Sequence, residues 1–446
     1  MLITHAKIAT LGEKPRLIDD GAVLIREGEI AAVDTTTALT ARYPDEERLD
    51  AEGQLAMPAA LCGHTHFYGA FARGWSYPGP AATGFTEILE RLWWRLDKLL
   101  TLEDVRASAQ VCLIDAIRHG TTTLIDHHAS PNAIEGSLDV IAEEVVNAGL
   151  RATLCYEVTD RDGSARSQAG LEENVRFLQR LERDPHPQLA ASFGLHASLT
   201  LSDETLAQAV AMGEGLDTGF HIHAAEGIAD VEDSLEKSGK RVIHRLHDAG
   251  ILGPQSIVAH AVHVNESEMD VLAETGTWVT HQPRSNMNNA VGMTQVEAML
   301  DRDVNMALGN DGFSNNMFAE MKTTYLVHKL TQGDPRAMPA DLVFRLAYDG
   351  NAELARIFWP SQQLGALEPG ATADIVLIDY HPTTPMTAGN LPWHLIFGYE
   401  ASMITTTISA GRVLMRDRRL LTLDEERITA IARERAADVW ARAESV

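Results

Sequence analysis

Eight short apolar runs alternate with longer helical patterns through the middle of the chain. This alternation constrains the fold more than any other feature, because it indicates βα units that share a parallel sheet. Eight such units predict an α/β fold, a (β/α)8 TIM barrel. The predicted strands are Leu55 to Cys62, Thr122 to Asp126, Arg151 to Glu157, Leu189 to His196, Gly219 to His223, Ser256 to Ala261, Trp278 to His281 and Asn305 to Gly309.

The two ends of the chain have a different texture, with short β-prone runs between glycine-containing and charged turns. Such runs are Leu2 to Ile8 and Ala22 to Arg26 near the start, and Ala373 to Ile378 and Met403 to Ser409 near the other end. We expect the two ends to pair into a small β-sandwich. The predicted domains are therefore a composite β-sandwich of residues 1–58 plus 365–446 and a (β/α)8 barrel of residues 59–364.

Composition and charge exclude several classes of partner. The chain has 446 residues and a formal net charge of −26, which repels nucleic acid and anionic membrane surfaces. No run approaches the roughly 18 apolar residues that a membrane-spanning helix needs, and the first residues lack the pattern of a secretory signal. Three scattered cysteines are too few for a disulfide framework. We expect a cytoplasmic protein with no nucleic-acid or membrane partner.

His64 and His66 directly follow the first predicted strand and are two residues apart. Strand alternation points both imidazoles to the same side, where they can share one metal ion. Two ordinary polar histidines are the alternative. The position at a strand end favours a metal site, because chemistry in such barrels lies at the carboxyl ends of the strands.

The fifth predicted strand ends in a second pair, His221 and His223, followed by Glu226. His223 is the better candidate ligand because it lies next to the strand end, whereas His221 can be a packed, hydrogen-bonded histidine deeper in the barrel. Glu226 can reach a metal-bound water and carry protons. The alternative for Glu226 is a carboxylate that stabilises a helix start.

The sixth and eighth predicted strands contribute two further candidates. His260 is favoured over His263 as a group that hydrogen-bonds the attacking water or the substrate oxygen, and a structural histidine is the alternative. Asp311, flanked by a glycine-containing turn, can bind metal or cap that turn. With the preceding residues, they predict a divalent ion held by three histidines and a carboxylate, with one position left for water.

Several sequence motifs resemble those of the amidohydrolase superfamily, in the branch of guanine deaminase, adenosylhomocysteine deaminase and s-triazine hydrolase. The motifs are PAALCGHTHFYGAF, HIHAAEG, AHAVH, HQPRSNMNN, GNDG and ADIVLID. The segments LWWRLDKLL, TTTLIDHHASPN, VTDRDG and EENVRF are most similar to a subgroup of aminohydrolases encoded in bacterial selenium and purine-catabolic gene clusters.

The resemblance implies roles for particular residues. His64, His66, His223 and Asp311 would be the metal ligands, and the ion would be zinc or ferrous iron. Glu226 would shuttle protons and His260 would lie beside the water. Relatives with two metals carry a bridging lysine at the fourth strand, but this chain has no lysine from Leu99 to Glu236. A single ion is therefore expected.

The implied reaction is hydrolytic deamination of an aminated purine, pterin or related heterocycle, in which metal-bound hydroxide attacks and ammonia leaves. Opening of a cyclic amide or displacement of another leaving group is the alternative. His196 resembles a substrate-contacting histidine of nucleoside-type deaminases, and Arg284 could also line the pocket. Trp93 is a candidate for stacking on the substrate, although core packing is the commoner role of such a residue. The family also implies a homodimer or higher homo-oligomer.

Overall fold

The structure is a computed structural model that describes residues 1–76 and 79–444. Its strands are β1 (Leu2–Ala9), β2 (Leu17–Arg26), β3 (Glu29–Thr35), β4 (Arg48–Asp50), β5 (Leu55–Pro58), β6 (Ala60–Thr65), β7 (Thr121–Asp126), β8 (Arg151–Leu154), β9 (Leu189–Ala191), β10 (Phe193–Ala197), β11 (Phe220–Ala224), β12 (Ile257–His260), β13 (Trp278–His281), β14 (Asn305–Leu308), β15 (Ile375–Ile378), β16 (Ile404–Ser409), β17 (Arg412–Arg416) and β18 (Arg419–Leu420).

Helices connect most of these strands, and the chain ends in a long one. Over residues 1–76 and 79–444, no helix combines the length and apolar composition that crossing a bilayer requires. The α-helices are α1 (Thr36–Arg42), α2 (Phe85–Ile88), α3 (Trp94–Leu99), α4 (Leu102–Arg118), α5 (Ser137–Ala148), α6 (Ser164–Arg183), α7 (Asp203–Gly213), α8 (Ile228–Ser238), α9 (Val242–Asp248), α10 (Glu266–Thr275), α11 (Pro283–Asn288), α12 (Val296–Leu300), α13 (Met317–Gln332), α14 (Ala340–Arg345), α15 (Asn351–Phe358), α16 (Leu391–Phe397) and α17 (Glu425–Glu444).

Other helical turns are short. Three are 3-10 turns, Phe67–Ala72, Ser198–Thr200 and Ala401–Met403, and two are π-helical, Leu89–Trp93 and Leu346–Gly350.

The central strands form two parallel sheets, as the alternating sequence pattern predicts. One has the order β6-β7-β8-β9 and the other β10-β11-β12-β13-β14. Isolated parallel bridges join their edges, between Val158 and Leu195 on one side and between Thr65 and Asp311 on the other. The predicted α/β class is confirmed, and the arrangement is consistent with a (β/α)8 barrel whose sheets are linked by bridges rather than by continuous ladders.

Strands from the two ends of the chain form a separate nine-stranded sheet, which confirms that both ends contribute to one β unit. Its order is β18-β17-β16-β15-β5-β1-β2-β3, and β4 also pairs with β1. The pairing of β15 with β5 joins the two ends, because Ile375 lies opposite Pro58 and Ile378 opposite Leu55. A core of buried aliphatic side chains, including Ile8 and Leu377, packs on this sheet.

The predicted first strand, Leu55 to Cys62, is in fact two strands in two sheets. The chain pairs with β15 as far as Pro58 and then crosses at Ala59, so that Ala60 lies opposite Thr121 of β7. Proline lacks the N–H group that a continuing ladder would use. The apolar run continues through this position, so the sequence pattern does not show that the pairing strand changes. Leu189 to His196 divides in the same way at Ser192, between β9 and β10.

A buried ion pair connects the barrel to the nine-stranded sheet. Arg151 in β8 donates from Nη1 to Asp374 Oδ2 at 2.7 Å and to Thr123 Oγ1 at 3.0 Å. The other oxygen of Asp374 accepts the backbone N–H of Ala410 at 2.7 Å. Both charged side chains are buried, and removal of one partner would leave the other charge uncompensated in the interior.

We therefore expect Asp374→Ala to lower the free energy of unfolding by about 3 to 5 kcal/mol, since the Arg151 guanidinium would stay buried without its carboxylate. Urea denaturation of the variant and the parent protein measures this difference. Asp334→Ala is the control, because Asp334 pairs with Arg336 at the surface and should matter little. Equal destabilisation by the two variants would contradict the stabilising role of the Arg151–Asp374 ion pair.

Candidate active site

The carboxyl ends of four barrel strands bring six predicted site residues into one region. The seam between the first and last barrel strands is held by backbone hydrogen bonds, in which the N–H groups of Asn310 and Asp311 donate to the carbonyl of His64 at 2.9 and 3.1 Å. Five of the six site residues are buried, and the sixth, Asp311, is partly buried. The six residues are His64, His66, His223, Glu226, His260 and Asp311.

The hydrogen bonds of His66 and His223 fix which ring nitrogen carries the hydrogen. His66 Nδ1 lies 2.6 Å from the carbonyl oxygen of His127, and His223 Nδ1 lies 2.6 Å from that of His196. A carbonyl only accepts, so both Nδ1 atoms donate and both Nε2 atoms present a lone pair in the neutral ring. These two Nε2 atoms are 3.2 Å apart.

His64 is oriented by a chain of side chains deeper in the barrel. Its Nδ1 lies 2.9 Å from Nε2 of His221, whose Nδ1 is 3.8 Å from the sulfur of Cys155. The Cys155 thiol itself donates to the carbonyl of Asp126, so His221 donates to the sulfur and accepts from His64. The remaining nitrogen, His64 Nε2, is buried and has no hydrogen-bond partner in the part of the chain that the structure describes.

This arrangement fits a divalent cation. Two imidazole lone pairs at 3.2 Å repel one another unless a proton or a cation lies between them, and Asp311 Oδ1 is a further 3.0 Å from His66 Nε2. Imidazole nitrogen and carboxylate oxygen are ligands that zinc and ferrous iron accept. His64, His66, His223 and Asp311 could therefore hold such an ion.

The protein environment keeps most of these imidazoles in the neutral form that binds metal. Burial lowers the pKa of His64 well below its usual range and that of His223 to about 4. Burial also disfavours the charged forms of His66 and Asp311. Their mutual contact outweighs it, however, so the pKa of His66 is raised and that of Asp311 is lowered.

Glu226 and His260 lie beside Asp311 with their reactive atoms facing one another. His260 Nε2 is 3.5 Å from Glu226 Oε2 and 3.7 Å from Asp311 Oδ2. The Asn289 side-chain amide donates to Glu226 Oε1 at 3.2 Å, and His260 Nδ1 lies 2.9 Å from the Asn286 oxygen. Burial, reinforced by the charge of Asp311, raises the pKa of Glu226 well above its usual range.

A pocket opens above these groups. Its wall combines apolar and aromatic side chains with a few polar ones, which is the usual character of a site for a small organic ligand. The lining residues are His66, Tyr68, Phe85, Leu89, Trp93, His196, Ala197, Leu199, His223, Glu226, Gly227, Asp230, Asn289 and Asp311.

Two of the three predicted substrate contacts lie in this wall, His196 and Trp93. Arg284 does not. Its guanidinium forms an ion pair with the fully buried carboxylate of Glu320 and donates to the carbonyl of Ser314 at 2.7 Å. The buried negative charge holds Arg284 away from the pocket, and sequence spacing alone gave no sign of this partner.

Glu157 is the main site residue that the sequence reasoning missed. It is 1% exposed, and its Oε1 lies 3.1 Å from His66 Nδ1 while its Oε2 lies 3.6 Å from His196 Nε2. Glu157 ends the third predicted strand, so the rule applied to the other strand ends would have found it. Ser285, whose hydroxyl donates to Asp311 Oδ2, lies on α11 shortly after the seventh predicted strand, in the segment that the sequence predicts could line the pocket.

The sequence profile of the amidohydrolase family matches residues 55–414, and the chain belongs to this family. A profile of the bacterial imidazolonepropionase-like composite domain matches residues 21–45. The family and its deaminase relatives make the protein a hydrolase that acts on carbon–nitrogen bonds other than peptide bonds.

Relatives named as deaminases match nearly the whole chain. A 5'-deoxyadenosine deaminase of Methanosarcina mazei is 31% identical and covers 100% of this chain and 99% of its own. A 5-methylthioadenosine/S-adenosylhomocysteine deaminase of Desulforudis audaxviator is 32% identical over 92% of each chain.

Solved structures share the fold. An adenosine deaminase of Xanthomonas campestris with bound zinc superposes with a TM-score of 0.86 at 24% identity, covering 100% of this chain and 98% of its own. The guanine deaminase of E. coli gives a TM-score of 0.81 at 21% identity, covering 93% and 99%. These similarities show the common architecture.

A divalent ion should stabilise the folded protein, since the converging donors of the site exist only in the folded state. After removal of metal by a chelator, addition of Zn²⁺ to 100 times its Kd should add about 2.7 kcal/mol, seen as a rise in Tm. His64→Ala should abolish most of this rise. His247→Ala, at an exposed histidine, should keep it; loss in both variants alike would refute the site.

Proposed function

We propose that this protein is a metal-dependent hydrolytic deaminase that replaces the amino group of a purine, pterin or related heterocycle by oxygen and releases ammonia. One observation carries the proposal. Glu226, His260 and Asp311 converge within 3.7 Å contacts beside a cluster of metal-binding groups at the base of a pocket. The deaminase names of the relatives support the same reaction class.

His64, His66, His223 and Asp311 would hold one ion, with zinc as the first candidate and ferrous iron as the second. The zinc of the structurally similar adenosine deaminase supports this choice. When bound, such an ion lowers the pKa of a coordinated water towards about 7 and so supplies the nucleophile. No lysine occurs from Leu99 to Glu236 to bridge a second ion.

Asp311 and His260 prepare the water for attack. His260 donates from Nδ1 to the Asn286 oxygen, so its neutral Nε2 accepts a hydrogen bond from the water and orients it. Asp311 Oδ2 lies 3.7 Å from that nitrogen and accepts the proton that the water loses. The water oxygen then bonds to the ring carbon that carries the amino group.

Glu226 supplies the proton that the ring needs. The Asn289 amide holds one carboxyl oxygen, so the other faces the pocket side of His260. Protonation of the ring nitrogen next to the attacked carbon removes the aromaticity that resists addition of water. Transfer of the proton from Asp311 to the amino group then breaks the carbon–nitrogen bond and ammonia leaves, while the hydroxyl proton of the adduct returns to the Glu226 carboxylate as the carbonyl forms.

The pocket wall suits a flat heterocycle. Trp93 offers an aromatic face, and its ring lies edge-on to Tyr68 with centroids 6.2 Å apart. His196 is fixed by a 2.7 Å hydrogen bond from Nδ1 to Thr200 Oγ1, whose hydroxyl donates to the carbonyl of Ala197. His196 Nε2 is thus available to a polar edge of the substrate.

The reaction class is tested by incubating metal-loaded protein with aminated purines, pterins and pyrimidines, together with s-triazines and cyclic amides. We expect stoichiometric ammonia and oxo product from at least one aminated purine or pterin. Turnover confined to substrates whose product keeps the exocyclic nitrogen would refute deamination and favour displacement of another leaving group.

Glu226→Gln should lower kcat by about two to four orders of magnitude, because glutamine keeps the shape of the side chain but cannot transfer a proton. Metal content should stay close to that of the parent protein, since Glu226 is not among the proposed ligands. Steady-state kinetics and elemental analysis measure the two effects. Glu232→Gln, at an exposed position of α8, is the matched control. Parental turnover in Glu226→Gln would remove Glu226 from the mechanism.

A further inference from the structure

His127 is an imidazole that the proposed chemistry does not use. It directly follows β7 and is fully buried, and within residues 1–76 and 79–444 neither of its ring nitrogens has a hydrogen-bond partner. In its neutral form the ring carries one N–H group and one lone pair. A buried polar group without a partner costs roughly 1 to 3 kcal/mol, so its retention needs a reason.

Both backbone polar groups of His127 form hydrogen bonds with residues at the end of the first barrel strand. Its N–H donates to the carbonyl of Thr65 at 2.9 Å, and its own carbonyl accepts Nδ1 of His66 at 2.6 Å. The ring stacks on His221 with centroids 4.3 Å apart and lies 4.8 Å from the ring of His223. Its position is therefore set by the same strand ends that carry the proposed ligands.

One nitrogen of His127 lies within 4.8 Å of a nitrogen from each of three proposed ligands, His64, His66 and His223, and these atoms are all within that distance of one another. His127 also lies near Cys155 and His221. Those two side chains already have partners, because His221 bonds both His64 and the Cys155 sulfur. His127 Nδ1 lies 3.7 Å from Glu157 Oε1, which is too far for a hydrogen bond, and His64 Nε2, in the same group of four histidines, also lacks a hydrogen-bond partner among the described residues.

We propose that His127 is a further ligand of the ion, which makes the protein donors four imidazoles and the Asp311 carboxylate. This inference rests on the proposed function for the existence of the ion. Five protein donors and one water give a six-coordinate site, so a role for His127 would reverse the order of the two candidates and place ferrous iron ahead of zinc. The buried lone pair of His127 then has its partner.

His127→Gln tests the proposal by metal binding rather than by turnover. Metal-free protein is titrated with Co²⁺ against a chelator of known affinity, and the visible absorption of the bound ion is recorded. We expect the Kd to rise at least 10-fold, and the absorption to change as the coordination number falls. The matched control is His128→Gln, because the neighbouring ring bonds Ser130 at 2.9 Å and should leave both readouts unchanged.

X-ray absorption on the metal-loaded parent protein keeps the test independent of how the variant folds. Scattering from four imidazoles is the expected result, and three imidazoles would overturn the role of His127. An unchanged Kd and spectrum in His127→Gln would overturn it as well. If the parent protein bound no divalent ion, the proposed function itself would fail, whereas tight binding that ignores His127 would refute only this inference.

Discussion

The seam between the first and last barrel strands is the interaction on which the candidate site depends. His64 accepts two backbone N–H groups from residues 310 and 311, and the N–H of His66 donates to the carbonyl of Asp311. A β-carbon on Gly309 would lie 2.9 Å from that of His64, so the close approach requires glycine. This register places two histidines and a carboxylate from opposite ends of the barrel sequence side by side.

Hydrogen bonds to backbone carbonyls and to a neighbouring side chain orient the histidines of the site. His66 and His223 each give one N–H to a backbone carbonyl, and His64 gives one to His221. These bonds fix the tautomers, so the remaining nitrogens converge without any rearrangement. The interior accommodates so many buried imidazoles because nearly all of their ring N–H groups donate a hydrogen bond. His127 departs from that pattern, because neither of its ring nitrogens has a hydrogen-bond partner among the described residues.

Much of this could be predicted from the sequence, because the carboxyl ends of parallel strands must meet at one edge. That rule found His64, His223 and Asp311 without knowledge of side-chain direction. The rule does not identify the partner that positions a side chain: Arg284 pairs with the buried carboxylate of Glu320, and nothing in the spacing reveals this pair. The crossing at Ala59 was missed because apolar periodicity does not say which sheet a strand joins.

The two strands that form the seam are far apart in the sequence, and this distance affects the order in which the site forms during synthesis. Thr65 and the residue it bonds, Asp311, are 246 positions apart. During synthesis, His64 and His66 leave the ribosome long before Asp311, which completes their donor set. Strand β15 emerges later still and then pairs with β5. The full set of candidate donor groups therefore comes together late in biogenesis, and a nascent chain exposes unpaired strand edges until then.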